Sequence, residues 1–338
     1  MIGAQFARDE LCMLEARKVL VTGGAGFIGS HLAERLLELG CNVSVADNLS
    51  RGTVQNIVPF LSRIRFYETD LTSMENCLSV TKDVDYVFHL ASSVGGVQYI
   101  RAENVNNLMP SVLMNMNMLE AARICGVERF AFTSSACVYR EKNSSLNRFK
   151  EGDAFPADPP TTYGWAKVLG EVACRSYHQD YGIKCAVVRI FNAYGEKENL
   201  HPRWSHVVPS LIRKAILYPK EKFRIFGDGN QERAFLYIKD CVEGIILAME
   251  RISDADPVNL GGEEVISIRR LAQKIVNLSR KDIEIEFDLS SPPGVNRYCA
   301  DTTKMKNVLN WRPRISLEEG LKKTYQWAEE VLAKTGGR

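Results

Sequence analysis

No stretch of this 338-residue sequence is both apolar enough and long enough to cross a bilayer. Neither sign of charge dominates. The 43 Lys and Arg against 41 Asp and Glu leave a formal net charge of +2, so bulk attraction to nucleic acid or to an anionic membrane is not expected. Internal repeats, low-complexity linkers and Cys pairs of C-x-x-C spacing are absent. The nine cysteines (12, 41, 77, 125, 137, 174, 185, 241 and 299) are scattered. The first residues carry Arg8, Asp9, Glu10, Glu15 and Arg17 and no secretion-signal core. Together these features predict free thiols, no metal site and a cytoplasmic location.

What is present is an ordinary globular composition, 45% hydrophobic and 25% charged. Short apolar runs at Lys18–Thr22, Asn42–Ala46, Arg65–Glu68, Val84–Leu90, Arg129–Thr133 and Cys185–Ile190 read as strands. Amphipathic stretches such as Phe27–Leu39 and Val168–Tyr181 lie between them. The alternation predicts an α/β fold, a doubly wound and mainly parallel sheet of Rossmann type, with a smaller C-terminal substrate lobe. The expected division is 17–190 for the sheet domain, with 235–258 returning to it, and 191–234 plus 259–330 for the lobe. Met109, Met114, Met116 and Met118 fall in a helical pattern with Val112 and Leu119. They read as core packing or as a dimer face shared with the helix over 163–181.

The apolar strand Val19-Leu20-Val21-Thr22 runs into Gly23-Gly24-Ala25-Gly26-Phe27-Ile28-Gly29 and then a helix. Gly24, Gly26 and Gly29 fit G-x-G-x-x-G, and Gly23, Gly26 and Gly29 fit the G-x-x-G-x-x-G spacing. Such glycines give a tight turn, close backbone approach to a pyrophosphate and close helix–strand contact. The helix N-terminus offers amides and a positive dipole end to the phosphates. Asp47, eighteen residues beyond Gly29 on the next strand, would accept from the adenine ribose and repel the extra phosphate of NADP. NAD is therefore the expected cofactor. Its wall would comprise Gly23, Gly26, Phe27, Ile28, Gly29, Asp47, Asn48, Asp70, Leu71 and Leu90, with Tyr163 and Lys167. Asp70 is also a candidate helix cap.

The strand Arg129–Thr133 ends in Ser134-Ser135-Ala136-Cys137-Val138-Tyr139, and Tyr163-Gly164-Trp165-Ala166-Lys167 follows. Tyr163 and Lys167, four apart, share one helix face. The ammonium is expected to lower the phenol pKa and make Tyr163 a base, with Ser135 sharing the reacting hydroxyl.

With the glycine loop, this set resembles the extended short-chain dehydrogenase/reductases that act on nucleotide sugars, from about Lys18 to Trp327. Further similar segments are His89-Leu90-Ala91, Arg189-Ile190-Phe191-Asn192-Ala193-Tyr194-Gly195, Gly227-Asp228-Gly229-Asn230-Gln231-Glu232-Arg233, Asn259-Leu260-Gly261 and Trp311-Arg312-Pro313. The resemblance implies that Asn192, Arg233 and Arg297 bind the sugar nucleotide, the arginines at its diphosphate. It also implies a homodimer.

Ala136 and Cys137 stand where the family's dehydratases and decarboxylases carry acidic residues. The Ser134–Tyr139 string, Ser93-Val94-Gly95-Gly96-Val97 and Met74-Glu75-Asn76-Cys77 resemble the GDP-mannose 3,5-epimerases, which places Gly95 and Gly96 at the substrate. Asn199-Leu200-His201-Pro202-Arg203-Trp204-Ser205-His206-Val207-Val208-Pro209 instead resembles the segment of GDP-fucose synthases that carries their catalytic His. In plant-type 3,5-epimerases a Lys takes that role. The implied chemistry is transient oxidation at C4, acid/base exchange at C3 and C5 by Cys137 and His206, and return of the hydride. Two alternatives stay open: C4 epimerisation of a UDP-hexose of the UDP-glucose 4-epimerase type, and a non-catalytic NAD-binding protein.

Overall fold

The computed structural model describes residues 13–95, 104–140, 148–290 and 297–334. Its main sheet contains β1 (Lys18–Thr22), β2 (Asn42–Asp47), β3 (Arg65–Glu68), β4 (Tyr86–His89), β5 (Arg129–Ser135), β6 (Lys184–Ile190) and β7 (Val258–Leu260). All pair in parallel, in the spatial order β7-β6-β5-β4-β1-β2-β3. The order reverses between β1 and β4, and such a switch point opens a crevice beyond the strands' carboxyl ends.

Alternate side chains of each strand enter two different cores. Val19, Val21, Tyr86, Phe88 and Ala131 face one, while Leu20, Val87, Phe130 and Phe132 face the other. Because both faces are covered, β1, β4 and β5 read as continuous apolar runs in the sequence. The first core is closed by helices α1 (Phe27–Glu38) and α6 (Ile238–Arg251). The second is closed by α2 (Met74–Thr81), α3 (Asn104–Ile124) and α4 (Thr162–Tyr181). Each fully buried Val, Leu or Phe contributes roughly 1.5–3 kcal/mol, so these two layers hold the cleft walls in register. Arg129 anchors α6 to the sheet by donating to the carbonyls of Met249 (3.1 Å) and Glu250 (2.9 Å).

The sequence-predicted strands fall on β1 to β6, with ends shifted by at most two residues. The segment after Phe235 differs. Its strand, Leu236–Tyr237, pairs with Ala193–Tyr194 rather than with the main sheet. Val258–Leu260, beyond α6, is what joins β6. Three residues are too few to show a period, so β7 leaves no pattern in the sequence. Other short strands make two small sheets: Glu232–Ala234 between Val265–Ser267 and Arg297–Tyr298, and Arg224–Phe226 beside Glu286–Asp288. Helix α5 (Val207–Leu217) lies beside them in the chain. No described helix is long and apolar enough to cross a membrane. No two described cysteines form a disulfide.

Candidate active site

A continuous cleft of ≈ 2080 Å³ opens at the switch point between β1 and β4. Its first wall is the glycine turn. Gly23 sits at φ +67°, in the left-handed region that glycine tolerates. A Cβ on Gly29 would lie 2.2 Å from the Gly23 carbonyl oxygen and 2.7 Å from Gly24 Cα. Both obstacles are backbone, so the approach of α1 to the turn requires glycine there. Gly26 stands at the N-cap of α1 with no side-chain cap, which leaves the first-turn amides to an external acceptor.

Asp47 is buried at the end of β2. Its carboxylate accepts from the amides of Ala25 (3.0 Å) and Leu49 (2.8 Å), tying the glycine turn to the next strand. Burial holds its pKa above the ordinary value against those two hydrogen bonds. Each carboxylate oxygen retains a further lone pair for a ribose hydroxyl. Phe27, Ile28, Asn48, Asp70, Leu71 and Leu90 line the same wall. Asp70 accepts from the Thr72 amide (2.9 Å) in a local turn. The N-cap position of α2 belongs to Ser73, so Asp70 is not the helix cap. The glycine cradle and the buried Asp47 fit a dinucleotide such as NAD.

The candidate reacting groups sit at the far end of β5. Ser135 accepts from the Cys137 amide (3.2 Å) and so caps the turn that presents Cys137. The Ser135 and Ser92 side chains act on the Tyr163 hydroxyl, each favouring its ionised form. Lys167 donates to the Thr133 carbonyl (2.8 Å), with Nζ 5.6 Å from the Tyr163 ring centroid. Helix α4 can come this close because residue 164 is Gly. A Cβ there would lie 2.3 Å from the Cys137 carbonyl oxygen. Beneath the strand end, the buried Arg189 fork meets both Glu171 oxygens (2.9 and 2.7 Å), and Ser134 donates to Glu171 (2.5 Å). The result is a buried, hydrogen-bonded lock between β5, α4 and β6.

The electrostatics depart from the sequence-based expectation that Lys167 lowers the Tyr163 pKa. Burial, then the neighbouring Cys137, push the phenol above its ordinary value, against the Ser135 and Ser92 hydrogen bonds. Burial also pulls Lys167 down to about 8, despite nearby Cys137 and Glu171. Lys167 is not among the groups that lower the phenol, whose desolvation is the largest influence on it.

His206 lines the opposite side of the cleft, at the N-cap of α5. Its Nδ1 meets a Glu198 carboxylate oxygen at 2.8 Å, with Glu198 buried and the His ring half exposed. Desolvation lowers the imidazole pKa, but the Glu198 hydrogen bond and charge outweigh it, and the net shift is upward.

Of the remaining predicted substrate residues, Gly95, Asn192 and Arg233 line the cleft. Gly96 lies outside the described residues. Asn192, at φ +44°, donates to the carbonyls of Ala234 (3.1 Å) and Tyr298 (3.4 Å). Arg233 donates to the Glu232 carbonyl (2.7 Å) and lies over the Tyr298 ring, 5.9 Å from its centroid. Arg297 is not among the described residues that line the cleft and instead pairs with the Glu232 carboxylate at 3.4 Å. Its strand pairs in parallel with Glu232–Ala234, which brings that carboxylate to its head group.

Several cleft residues escaped the sequence reading: Ser92, Glu198, Tyr298, and the Arg51–Trp204 stack, 3.8 Å from guanidinium to ring centroid. Tyr298 donates to the Ala136 carbonyl, next to Cys137. The Ser92, Tyr298 and Arg51 contacts join distant parts of the chain, and Glu198 meets His206 across a folded loop, so none leaves a local spacing signal.

The family model described as "NAD dependent epimerase/dehydratase family" matches residues 19–261. Over 333 residues the chain is 35% identical to "GDP-mannose 3,5-epimerase 1" of Oryza sativa subsp. indica, covering 98% of this chain and 86% of that protein. A solved UDP-glucose 4-epimerase with UDP-glucose, from Thermotoga maritima, superposes with TM-score 0.86 at 31% identity, over 93% of this chain and 99% of that one. The UDP-glucose 4-epimerase of Thermus thermophilus in complex with NAD superposes with TM-score 0.81 at 27% identity, over 92% and 98%.

Proposed function

The chain belongs to the NAD-dependent epimerase/dehydratase family, and within it we propose a nucleotide-sugar epimerase of the GDP-mannose 3,5-epimerase type. The observation that carries this reading is the pairing of a Ser135/Tyr163/Lys167 site with Cys137 and His206 in one cleft. A 4-epimerase needs only the first three. Similarity to a plant GDP-mannose 3,5-epimerase over 98% of the chain supports the same choice.

NAD, when bound, would supply the hydride acceptor. The glycine turn and the α1 amides would hold its pyrophosphate, and Asp47 its ribose. Tyr163 takes the proton of the C4 hydroxyl, with Ser135 holding that oxygen and Lys167 fixing the geometry. The C4 ketone acidifies the hydrogens on C3 and C5. Cys137 and His206 then remove and replace a proton at these carbons from different sides. Asn192 and Arg233 would hold the sugar nucleotide. Arg297, paired with Glu232, is not counted among them.

The lobe division at 17–190 with 235–258, and 191–234 with 259–330, belongs to this reading, as do a cytoplasmic location and a homodimer. The dimer is supported by exposed Val105, Met109 and Leu113 on α3 beside exposed Trp165, Leu169 and Val172 on α4. Met114 and Met118 on the same helix are buried, so the methionines divide between core and outer face.

Purified protein incubated separately with GDP-mannose and with UDP-glucose tests the reading. Galactose- or gulose-type sugars from GDP-mannose, identified after release of the nucleotide, are expected. Conversion of UDP-glucose alone to UDP-galactose would replace the reading with 4-epimerisation, which the superposition on a UDP-glucose 4-epimerase favours as the runner-up.

A further inference from the structure

Glu198 lies eight residues before His206, and both line the cleft, the carboxylate buried and the imidazole half exposed. The intervening chain folds back on itself. The His201 amide donates to Asn199 Oδ1 (2.8 Å), and the Trp204 and Ser205 amides donate to the His201 carbonyl (3.0 and 2.9 Å). Arg51 covers Trp204 from the first wall. The closed loop leaves one geometry for the pair: Nδ1 against Glu198 at 2.8 Å, and Nε2 on the other side of the ring. We propose that Glu198 is a positioning residue that fixes the tautomer and orientation of His206, making Nε2 the atom that exchanges protons with the sugar.

This rests on the epimerase reading for its chemistry but not for its geometry. A neutral imidazole free in water favours no such orientation. A buried carboxylate that accepts from Nδ1–H compels the proton to stay there in both charge states. When the Nε2 proton passes to the carbon beside the C4 ketone, the enolate electron pair becomes the new C–H bond and the C4 carbonyl re-forms. Neutral imidazole is left anchored through Nδ1–H. In the reverse direction Nε2 takes the proton, and Glu198 compensates the imidazolium charge.

Other charged groups of the segment point elsewhere. Lys197 reaches Glu34 at 3.0 Å, and Arg203 lies 4.7 Å from the Trp204 ring centroid. The charge that acts on His206 is that of Glu198. No local spacing rule announces the pair.

The test uses ¹⁵N-labelled full-length protein and long-range ¹H–¹⁵N imidazole spectra over a pH series. The His206 signals are assigned by their loss in His206→Asn among five histidines. The wild type is expected to show the Nδ1–H tautomer and a titration midpoint above the ordinary value. Glu198→Gln should lower the midpoint, and Glu198→Ala should mix the tautomers. In both variants, deuterium exchange at C3 and C5 should fall ~10²-fold while C4 oxidation, read as reduced nicotinamide absorbance, persists. Glu198→Asp should recover part of the exchange. An unchanged tautomer and midpoint in folded Glu198→Gln and Glu198→Ala overturns the inference. A wild type that shows the tautomer and its shift but exchanges nothing at C3 or C5 supports the pairing and overturns the epimerase reading instead.

Discussion

The two walls of the cleft are built in different ways. The cofactor wall is closed by short-range contacts to the backbone: Gly29 on Gly23, the Ala25 amide donating to the Asp47 carboxylate, and the Asn56 side-chain amide donating to the Ala25 carbonyl (2.9 Å). Its partners lie at most 31 residues apart in these contacts. The opposite wall is joined by side chains that bridge far larger separations: Asn192 to Tyr298 (106 residues), Tyr298 to Ala136 (162) and Lys197 to Glu34 (163). Short-range steric fit leaves a motif in the sequence. Long-range side-chain fit does not, and it tunes rather than shapes the site.

The comparison breaks most visibly where the walls meet. Tyr163→Phe should lower every turnover about 10³-fold without loss of bound NAD, measured by product formation and nicotinamide content. Gly29→Ala should act on the first wall alone. Its Cβ would press on backbone that cannot yield, costing about 3 kcal/mol and over a hundredfold in NAD affinity by titration calorimetry.

Two histidines carry the same contrast into stability. His89, buried between Thr22 Oγ1 (2.8 Å) and Asn115 Oδ1 (3.1 Å), is pulled down to about 3 by burial and then by Lys167. Its contribution is complete above pH 6.5 and is lost as pH falls toward 3, at no more than about 1.4 kcal/mol per unit. His206, raised by Glu198, contributes fully below pH 6.5 and loses that contribution as pH rises through its elevated value. Denaturant midpoints across pH should therefore show an acid limb that flattens in His89→Gln but not in His206→Asn.

Gly164→Ala, whose Cβ would meet the Cys137 carbonyl oxygen, should reduce C3/C5 exchange roughly tenfold more than C4 oxidation. The smallest effect belongs to Arg51→Ala. Losing the Trp204 stack should cost roughly 0.5–1 kcal/mol in thermal unfolding and little in turnover.

The sequence carried the sheet because β1, β4 and β5 are buried on both faces, so apolar residues stand side by side in Val19-Leu20-Val21, Tyr86-Val87-Phe88 and Phe130-Ala131-Phe132. It carried the cofactor wall because no other residue fits at Gly23 and Gly29. The Ser135, Tyr163 and Lys167 set was legible once a strand end and a helix face were placed. What stayed hidden has no fixed spacing in the chain. Glu198 meets His206 through a folded loop without a fixed period, and Arg297 was drawn to Glu232 by a strand pairing that no motif announces. The Tyr163 phenol also went against the charge argument, because burial of both partners outweighs the attraction between them.

Proton NMR of GDP-mannose turned over in heavy water tests the central claim most directly. The account predicts deuterium at C3 or C5 in recovered substrate and products, lost in Cys137→Ser while C4 oxidation continues. Turnover with no solvent deuterium at either carbon would contradict it.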